Sequence, residues 1–373
     1  MTFARTGCRH AAAVYTVTML LSGIFPAITT PFYFDGRLYP KKLEHNVDRY
    51  SRTPIAGMVV LGSTGETVML SEAEQREVLR IAAEVAAVEK VLIAGVGLES
   101  AIETLRLAEY AATLEYDVAL VRTPHYYRPQ MKPENLLAFY RFVADRSPLP
   151  VLLYSVPPFT AYDLPSEIIA ELAEHPNIIG IKESSGSVEK IADVIARTRH
   201  IRRSTTATEV FNAVTQRMLK PSKPAEALVS VAALAGSSGH EGNKADPPKS
   251  STPRFKTRTR EVGFQLLAGS AQKLLPSLEA GSAGAVLAFA SAAPTACFEV
   301  YTAWKDGDKE LAQLKQQRII GPATRVASQM GIPALKYALD LNGYYGGPPR
   351  LPLLPLTAEM RAEVERIMSD VRN

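Results

Sequence analysis

The chain has 373 residues, of which 46% are hydrophobic and 21% are charged, and its formal net charge is +4. A chain of this size can bury a large core, and a small basic excess without a nucleic-acid-binding motif excludes nucleic acid as an expected partner. Its two cysteines, Cys8 and Cys297, exclude a disulfide framework or a cysteine metal cluster, and they indicate a reducing, cytoplasmic compartment. The sequence holds no stretch long and apolar enough to predict a transmembrane helix or a membrane partner.

Residues 1–21 form a leader that we predict to be disordered. Basic residues precede an apolar run over residues 11–21, a pattern that faintly resembles a signal peptide. The run passes directly into the first predicted strand, so cleavage after it would remove part of the fold. A disordered leader, or an over-long start with Met19 as the true first residue, is the simpler interpretation.

Apolar stretches of strand length alternate with amphipathic stretches along the chain. In one amphipathic stretch, Ser71 and Glu74 have the spacing of a capping box. Such alternation predicts a parallel sheet with helical crossovers, and eight strands favour a (β/α)8 TIM barrel over residues 22–291. The predicted strands are 23–32, 57–63, 91–96, 117–123, 150–156, 178–183, 264–269 and 283–289, and the predicted helices between them include 71–88, 100–114, 133–145, 165–174 and 187–197.

Two regions depart from this alternation. After Ser291 the strand signals stop, and residues 292–373 predict a helical C-terminal extension that packs on the barrel. From about residue 204 to 262 the chain contains a tract rich in Gly, Ser, Pro and Lys, followed by a basic run. Because this segment has few large apolar residues, we predict a flexible surface insertion between the sixth and seventh strands, with a basic binding loop as the alternative.

Lys182 and Tyr154 are the main candidates for chemistry, because they occupy matching places at the ends of the sixth and fifth strands. Apolar surroundings disfavour the ammonium form of a lysine and free an amine that condenses with a ketone to an imine. A neighbouring tyrosine hydroxyl can relay protons. The ordinary alternatives are a lysine that reaches solvent beside Glu183 and a core tyrosine whose hydroxyl is satisfied.

Strand alternation assigns Met58 and Thr64 to one face of the second strand, and Ile178 and Lys182 to one face of the sixth. Catalytic groups of barrels collect at the carboxyl ends of the strands. We therefore expect Thr64, Tyr154 and Lys182 to converge there.

Two further motifs follow predicted strands. The segment Gly62 to Glu66 offers two hydroxyls and free backbone N–H groups, which suit a carboxylate, although an ordinary capped turn is the alternative. The aromatic cluster around Tyr126 and Tyr127 is more typical of packing or a subunit contact. His125 does not predict a metal site, because no His, Asp and Glu set has ligand spacing.

Five motifs occur in order along the chain: Gly-Ser-Thr-Gly-Glu at 62–66, Thr-Pro-His-Tyr-Tyr at 123–127, Tyr-Ser-Val-Pro at 154–157, Gly-Ile-Lys-Glu-Ser at 180–184 and Leu-Ala-Gly-Ser at 267–270. Together they resemble the class I pyruvate-dependent aldolase family typified by dihydrodipicolinate synthase and N-acetylneuraminate lyase. The resemblance covers roughly residues 22–200 and 263–360.

The resemblance implies a role for each matching residue. Lys182 would be the Schiff-base lysine and Tyr154 the acid/base residue, while Ser63 and Thr64 would hold the carboxylate of pyruvate, with Thr64 also in a hydroxyl relay. Tyr126 would enter the active site of a neighbouring subunit. The resemblance also implies a homotetramer, built as a dimer of dimers, that needs no metal or organic cofactor. Two residues on the last strands would line the pyruvate pocket: Gly269 and Val286.

Departures from the family pattern narrow the substrate. Dihydrodipicolinate synthases usually carry an arginine where this chain has Phe159, and losing a guanidinium removes a bidentate carboxylate partner. A further departure is Ala161, where a glycine is usual. The motifs resemble the 4-hydroxy-2-oxoglutarate aldolase branch most closely, in which Ser184 would help bind the distal carboxylate.

The resemblance therefore predicts a lyase that cleaves a 4-hydroxy-2-oxo acid into pyruvate and an aldehyde, or runs the reverse condensation. The alternative within the family is a 4-hydroxy-tetrahydrodipicolinate synthase. A keto-acid-binding barrel without catalysis is the alternative of another class.

Overall fold

The computed structural model describes residues 18–210, 212–219 and 256–371. Eight of its strands form one parallel sheet in the order β1-β10-β9-β6-β5-β4-β3-β2. The sheet closes because the Ala56 N–H donates to Ile24 O and the Ile28 N–H donates to Val59 O, both at 3.0 Å. The predicted (β/α)8 barrel is thus confirmed. The strands are β1 Gly23–Pro26, β2 Gly57–Val60, β3 Val91–Gly95, β4 Val118–Arg122, β5 Val151–Ser155, β6 Ile178–Glu183, β7 Arg203–Thr208, β8 Thr257–Val262, β9 Gln265–Ala268 and β10 Gly284–Leu287.

The helices begin where the sequence supplies capping residues. Ser71 and Glu74 form the predicted capping box at the start of α2, because each side chain accepts the other residue's backbone N–H. Ser100 and Ser187 cap α3 and α7 in the same way, with one side-chain acceptor each. The helices are α1 Pro40–Ser51, α2 Glu72–Val85, α3 Ala101–Thr113, α4 Pro133–Arg146, α5 Pro157–Thr160, α6 Ser166–Ala173, α7 Val188–Thr198, α8 Gln216–Leu219, α9 Leu274–Glu279, α10 Pro294–Lys305, α11 Lys309–Pro322, α12 Ile332–Leu341 and α13 Ala358–Met368.

The core has two layers, one inside the barrel and one between the strands and the helices. The inner layer contains Phe25, Val59, Ile93 and Leu120, which alternate with outward-facing neighbours along their strands. Strand β6 can approach β9 closely only because it contains Gly180, where a Cβ would lie 2.1 Å from Gln265 O. Both layers are apolar, so the barrel is filled rather than hollow.

The alternation predicted for two strands is wrong. Met58 belongs to the outer layer, and Thr64 reaches the interior because the chain turns after β2 at Leu61, whose φ is 61°. In β6, Ile178 packs outside and Ile179 inside, because the pairing with β5 shifts register between Val151 and its neighbour. A bulge changes which residues face the core, and strand alternation alone does not predict it.

The prediction of a disordered leader is wrong for residues 18–21. Leu21 is fully buried, and its N–H donates to Gln265 Oε1 at 2.6 Å. The same Gln265 side chain donates to Met19 O at 2.8 Å, and the Thr18 N–H donates to Ser204 O at 3.1 Å. These contacts hold the segment at the amino-terminal end of the barrel. Residues 1–17 lie outside the described residues.

The prediction of a flexible insertion is wrong for the two ends of that segment. Strands β7 and β8 pair antiparallel from Arg203↔Val262 to Thr208↔Thr257. Helix α8 packs at the amino-terminal end of the barrel, where the Arg217 guanidinium donates to Ala86 O at 2.9 Å and to Lys90 O. Residues 211 and 220–255 lie outside the described residues, and the basic run that follows is described from residue 256, where it leads into and forms part of the exposed strand β8.

The predicted helical C-terminal region is confirmed by α10 to α13 and by a π-helical stretch, Ala323–Gln329, between α11 and α12. Among the described residues, none of the helices combines the length and apolar character that a membrane crossing requires.

Candidate active site

A cavity of about 330 Å³ opens at the carboxyl ends of the barrel strands, and we call it the carboxyl-end cavity. Loops after the strands form most of its wall, and the C-terminal region supplies the remainder through residues 327–335. Most of the residues singled out from the sequence line it: Ser63, Thr64, Tyr154, Lys182, Ser184, Gly269 and Val286.

Lys182 and Tyr154 are direct neighbours in the sheet, because β5 and β6 pair with Tyr154 opposite Lys182. Both side chains are buried, with 4% and 5% exposed, so the lysine does not reach into bulk solvent. The Lys182 Nζ lies 4.0 Å from the centroid of the Tyr154 ring, a cation–π contact. The strand register therefore places the amine and the phenol in one pocket.

Glu183 faces away from the cavity. Its carboxylate accepts from the Ser185 N–H and O–H and pairs with Lys190 at 3.4 Å. The alternative in which Lys182 reaches solvent beside Glu183 is therefore wrong. Among the described residues that line the cavity, Lys182 is the only one with a charged side chain.

The Ser63–Gly65 turn, a single 3₁₀ turn after β2, carries the hydroxyls of the predicted carboxylate cradle. The Ser63 Oγ lies 3.3 Å from the Tyr154 hydroxyl, and Thr64 is buried in the cavity wall. The resemblance implies a place for Thr64 in a hydroxyl relay, which stays a prediction; among the described residues, the hydroxyl that bonds to Tyr154 is that of Ser63. The turn can present two hydroxyls and backbone N–H groups to a carboxylate.

Gly269 and Ser184 meet in the wall of the cavity, each directly after the end of a strand. A Cβ on Gly269 would lie 2.0 Å from Ser184 Oγ and 2.8 Å from Glu183 O, so only glycine fits there. The Ser184 Oγ is buried and has no hydrogen-bond partner within the described part of the chain. An unpaired buried hydroxyl beside a cavity is available to a ligand.

Four polar residues of the wall have no role predicted from the sequence: Ser185, Ser270, Gln272 and Ser328. The Ser270 hydroxyl donates to Gln272 Oε1 at 2.9 Å, and the Gln272 amide donates to Ser328 Oγ at 2.6 Å. Ser270 and Gln272 follow β9, so the rule that barrel sites lie at strand ends could have found them. Ser328 lies in the π-helical stretch, and such stretches are frequent at functional sites.

Two predicted residues lie at or beyond the rim. Phe159 lines the mouth of the cavity and is 65% exposed. Tyr126 does not line the cavity and is 77% exposed, with its ring edge-on to Tyr127 at 5.2 Å.

His125 also lies outside the cavity, where its Nδ1 contacts Glu99 at 2.8 Å. Burial and the nearby Arg122 lower its pKa. No cluster of three or more His, Cys, Asp or Glu side chains suited to a metal ion occurs in the described ranges.

The fold is a closed (β/α)8 barrel that holds a buried lysine and a tyrosine in a cavity at the carboxyl ends of its strands, the end at which enzymes of this fold class carry their active sites. The model of the Dihydrodipicolinate synthetase family matches residues 20–204 and 251–371. The chain belongs to this family and is an enzyme of it, and the family's members are class I pyruvate-dependent lyases or aldolases.

Similar proteins match either most of the chain or about half of it. The 4-hydroxy-tetrahydrodipicolinate synthase of Methanothrix thermoacetophila is 29% identical over 350 residues, which cover 94% of this chain and 97% of that protein. The enzyme of the same name from Stenotrophomonas maltophilia is 41% identical over 178 residues, or 48% of this chain and 59% of that protein.

Solved structures share the fold. Dihydrodipicolinate synthase from Bacillus anthracis has a TM-score of 0.73 at 22% identity and covers 94% of this chain and 99% of that chain. The chloride-inhibited dihydrodipicolinate synthase from Acinetobacter baumannii, solved with pyruvate, has a TM-score of 0.72 at 25% identity. The match covers 94% of this chain and 98% of that chain.

Proposed function

We propose that this protein is a Schiff-base aldolase that cleaves a 4-hydroxy-2-oxo acid, such as 4-hydroxy-2-oxoglutarate, into pyruvate and an aldehyde, or catalyses the reverse condensation. The observation that carries the proposal is the buried Lys182 amine beside Tyr154, in a cavity whose lining has no other charged side chain among the described residues. Family membership supports the dependence on pyruvate.

The mechanism follows from the positions of these groups. The Lys182 amine attacks the C2 ketone and, with loss of water, forms a protonated imine. The Tyr154 hydroxyl, hydrogen-bonded to Ser63, relays the proton of the C4 hydroxyl: its oxygen accepts that proton while its own proton passes to Ser63 and on to water. As the C3–C4 bond breaks, the aldehyde leaves and the electron pair enters the imine to give an enamine. The enamine is protonated at C3, and water then releases pyruvate and regenerates the amine.

The substrate carboxylate next to the ketone is bound by the Ser63–Gly65 turn. Its hydroxyls and backbone N–H groups lie within the same cavity as the lysine. The imine is itself the electron sink, so we propose that the reaction uses no metal or organic cofactor. Activity should therefore survive dialysis against a chelator.

Trapping with borohydride in the presence of pyruvate tests the imine. We expect a reduced pyruvyl adduct on Lys182 by peptide mass spectrometry, and no adduct in Lys182→Arg. Lys190→Arg is the matched control, because it changes the neighbouring lysine outside the cavity and should leave the adduct intact. A wild-type protein without an adduct on Lys182 refutes the proposed mechanism.

The alternative substrate is aspartate semialdehyde, which the name of the similar synthases favours. Phe159 argues against it, because this side chain stands at the cavity mouth where those synthases usually carry an arginine. Ser184 supports a polar distal group on the substrate, because its buried hydroxyl has no hydrogen-bond partner among the described residues.

A panel of substrates separates the two activities. We expect pyruvate release from 4-hydroxy-2-oxoglutarate and little condensation of pyruvate with aspartate semialdehyde. Phe159→Arg should increase the second activity relative to the first, since it restores a guanidinium. Efficient condensation with the semialdehyde by the unchanged protein would establish the alternative.

We also propose that the protein assembles as a homotetramer in which Tyr126 reaches the cavity of a neighbouring subunit. The exposure of Tyr126 and Tyr127 supports this, because exposed aromatic pairs are typical of interfaces. Sedimentation of the pure protein tests the assembly. A monomer with full activity would contradict it, and one similar structure is described as a monomeric dihydrodipicolinate synthase variant.

A further inference from the structure

A buried ion pair lies beside the carboxyl-end cavity. The Glu66 Oε1 contacts the Lys336 Nζ at 2.5 Å, and both side chains are fully buried. Glu66 follows the Ser63–Gly65 turn, whereas Lys336 lies on α12 in the C-terminal region. Two distant parts of the chain are therefore joined by charges that water does not reach.

Each partner of the pair makes one further polar contact. The Glu66 Oε2 accepts a hydrogen bond from the backbone N–H of Arg350 at 2.8 Å, and the Lys336 Nζ donates to Pro348 O at 2.9 Å. The Lys336 Nζ also lies 4.3 Å from the centroid of the Phe32 ring. Burial lowers the pKa of Lys336, and the Glu66 carboxylate opposes that shift, so the charge of the lysine depends on its partner.

Burial of an ion pair is not by itself a source of stability, because desolvation offsets the attraction. A buried ion pair does restrict the positions of its two side chains, because moving either one away would leave both charges buried without a partner. Glu66 has a φ of 57°, a left-handed conformation that is unusual for a residue with a side chain. The pair holds this residue, and so the end of the turn, in a strained conformation.

Both ends of the pair adjoin the wall of the cavity. The turn before Glu66 contributes Ser63 and Thr64, and α12 contributes Ile332 and Leu335, the residue next to Lys336. A shift of either element would change the shape of the cavity that holds the Lys182 amine.

We propose that Glu66 and Lys336 are positioning residues, whose buried contact locks the Ser63–Gly65 turn to α12 and so sets how the cavity binds the carboxylate of its keto acid. The inference rests on the proposed function for the identity of that ligand. The positions of the Ser63–Gly65 turn and of α12 do not depend on which ligand the cavity binds.

Three variants test the proposal: Lys336→Met, Glu66→Gln and the double variant. Lys90→Met is the matched control, because Lys90 is also a buried lysine, bound to Thr53 O and Ile55 O, but precedes β3 at the opposite end of the barrel. Each protein is assayed at a temperature where thermal unfolding shows it to be folded.

The first measurement is the pyruvate concentration that gives half-maximal borohydride trapping on Lys182. We expect Lys336→Met and Glu66→Gln to raise it roughly ten- to a hundredfold, because small misplacements of binding groups have effects of that size. We expect Lys90→Met to leave it unchanged. The double variant should recover thermal stability, since no unpaired charge remains, but not the affinity for pyruvate.

The second measurement is amide hydrogen exchange of the peptide that covers residues 57–70. Exchange should be faster in Lys336→Met than in Lys90→Met, whether or not pyruvate is present. The positioning role would be overturned if Lys336→Met and Glu66→Gln changed neither the pyruvate concentration for half-maximal trapping nor the exchange rate of residues 57–70. It would also be overturned if the double variant restored both quantities to their wild-type values. A wild-type protein that forms no adduct would refute the proposed function instead, and the exchange measurement would still decide this inference.

Discussion

Three lysines are buried among the described residues, and they differ in their partners. Lys336 is paired with Glu66, and Lys90 donates to two backbone carbonyls at 2.8 and 3.0 Å. Lys182 makes no ion pair or hydrogen bond to any described residue and faces the Tyr154 ring. Burying a charge without a partner is costly, so an amine left free in a cavity is typical of a functional group.

The Tyr154 hydroxyl can be removed without changing the packing of its ring. In Tyr154→Phe we expect the cleavage rate to fall by about 10²–10⁴, because proton transfer at the C4 hydroxyl is lost. The adduct with pyruvate should still form. Rate measurements and borohydride trapping on the same samples check this.

Tyr116→Phe is the control for that variant. This residue is also buried, but its hydroxyl donates to Leu79 O at 2.9 Å in the helical layer, so its loss should affect stability and not the rate. If the two variants lose the same fraction of activity, Tyr154 has no role in proton transfer.

At the scale of elements, one carboxylate links β4 to α8. Asp117 precedes β4, and its oxygens accept the N–H groups of Leu92 and Gln216, both at 2.9 Å. Burial raises the pKa of Asp117 to about 6, and the two N–H groups and Arg217 oppose the shift. The folded protein therefore holds this proton more tightly than the unfolded chain, in which an aspartate has a pKa of about 3.9.

The sign of the resulting pH dependence follows from linkage. The contribution of Asp117 to the free energy of unfolding is fully present below about pH 4 and is lost as the pH rises through about 6, by at most about 3 kcal/mol. In Asp117→Asn this decline should disappear, which thermal unfolding at several pH values between 4 and 7 can measure.

Asp193→Asn is the control, because the stability contributed by Asp193 depends on pH in the opposite direction. Hydrogen bonds from Ser166 and Arg197 lower the pKa of this exposed carboxyl, so its contribution is lost at low pH. An unchanged pH profile in Asp117→Asn would contradict the proposed role of the buried carboxyl.

At the scale of the whole molecule, the added segments that stabilise the barrel and the cavity proposed to bind substrate lie at opposite ends of the barrel. The β7–β8 pair and α8 pack at the amino-terminal end, whereas the cavity opens at the other. Barrels commonly separate the two in this way.

Replacing residues 207–258 by Asn-Gly tests that separation. Thr206 and Thr259 are paired, so a two-residue turn can connect them. We expect a folded barrel with a lower melting temperature, because the Arg217 contacts to Ala86 O and Lys90 O are lost. The adduct with pyruvate should form as before, and its loss from a folded variant would show that the segment supports the cavity.

The sequence by itself determined the barrel and the proximity of Lys182 to Tyr154. Strand and helix patterns are local, and two side chains at matching ends of neighbouring parallel strands must lie close together, as Tyr154 and Lys182 do. The Ser71 capping box was predictable for the same reason, because all its contacts lie within four residues.

Only the tertiary structure decided which residues complete the cavity. The bulge in β6 and the turn at Leu61 changed the predicted faces, because pairing register depends on the neighbouring strand. Ser328 and the Glu66–Lys336 pair come together through the docking of the C-terminal helices. No local pattern reports such contacts, since their energy comes from burial between segments that are far apart in the chain.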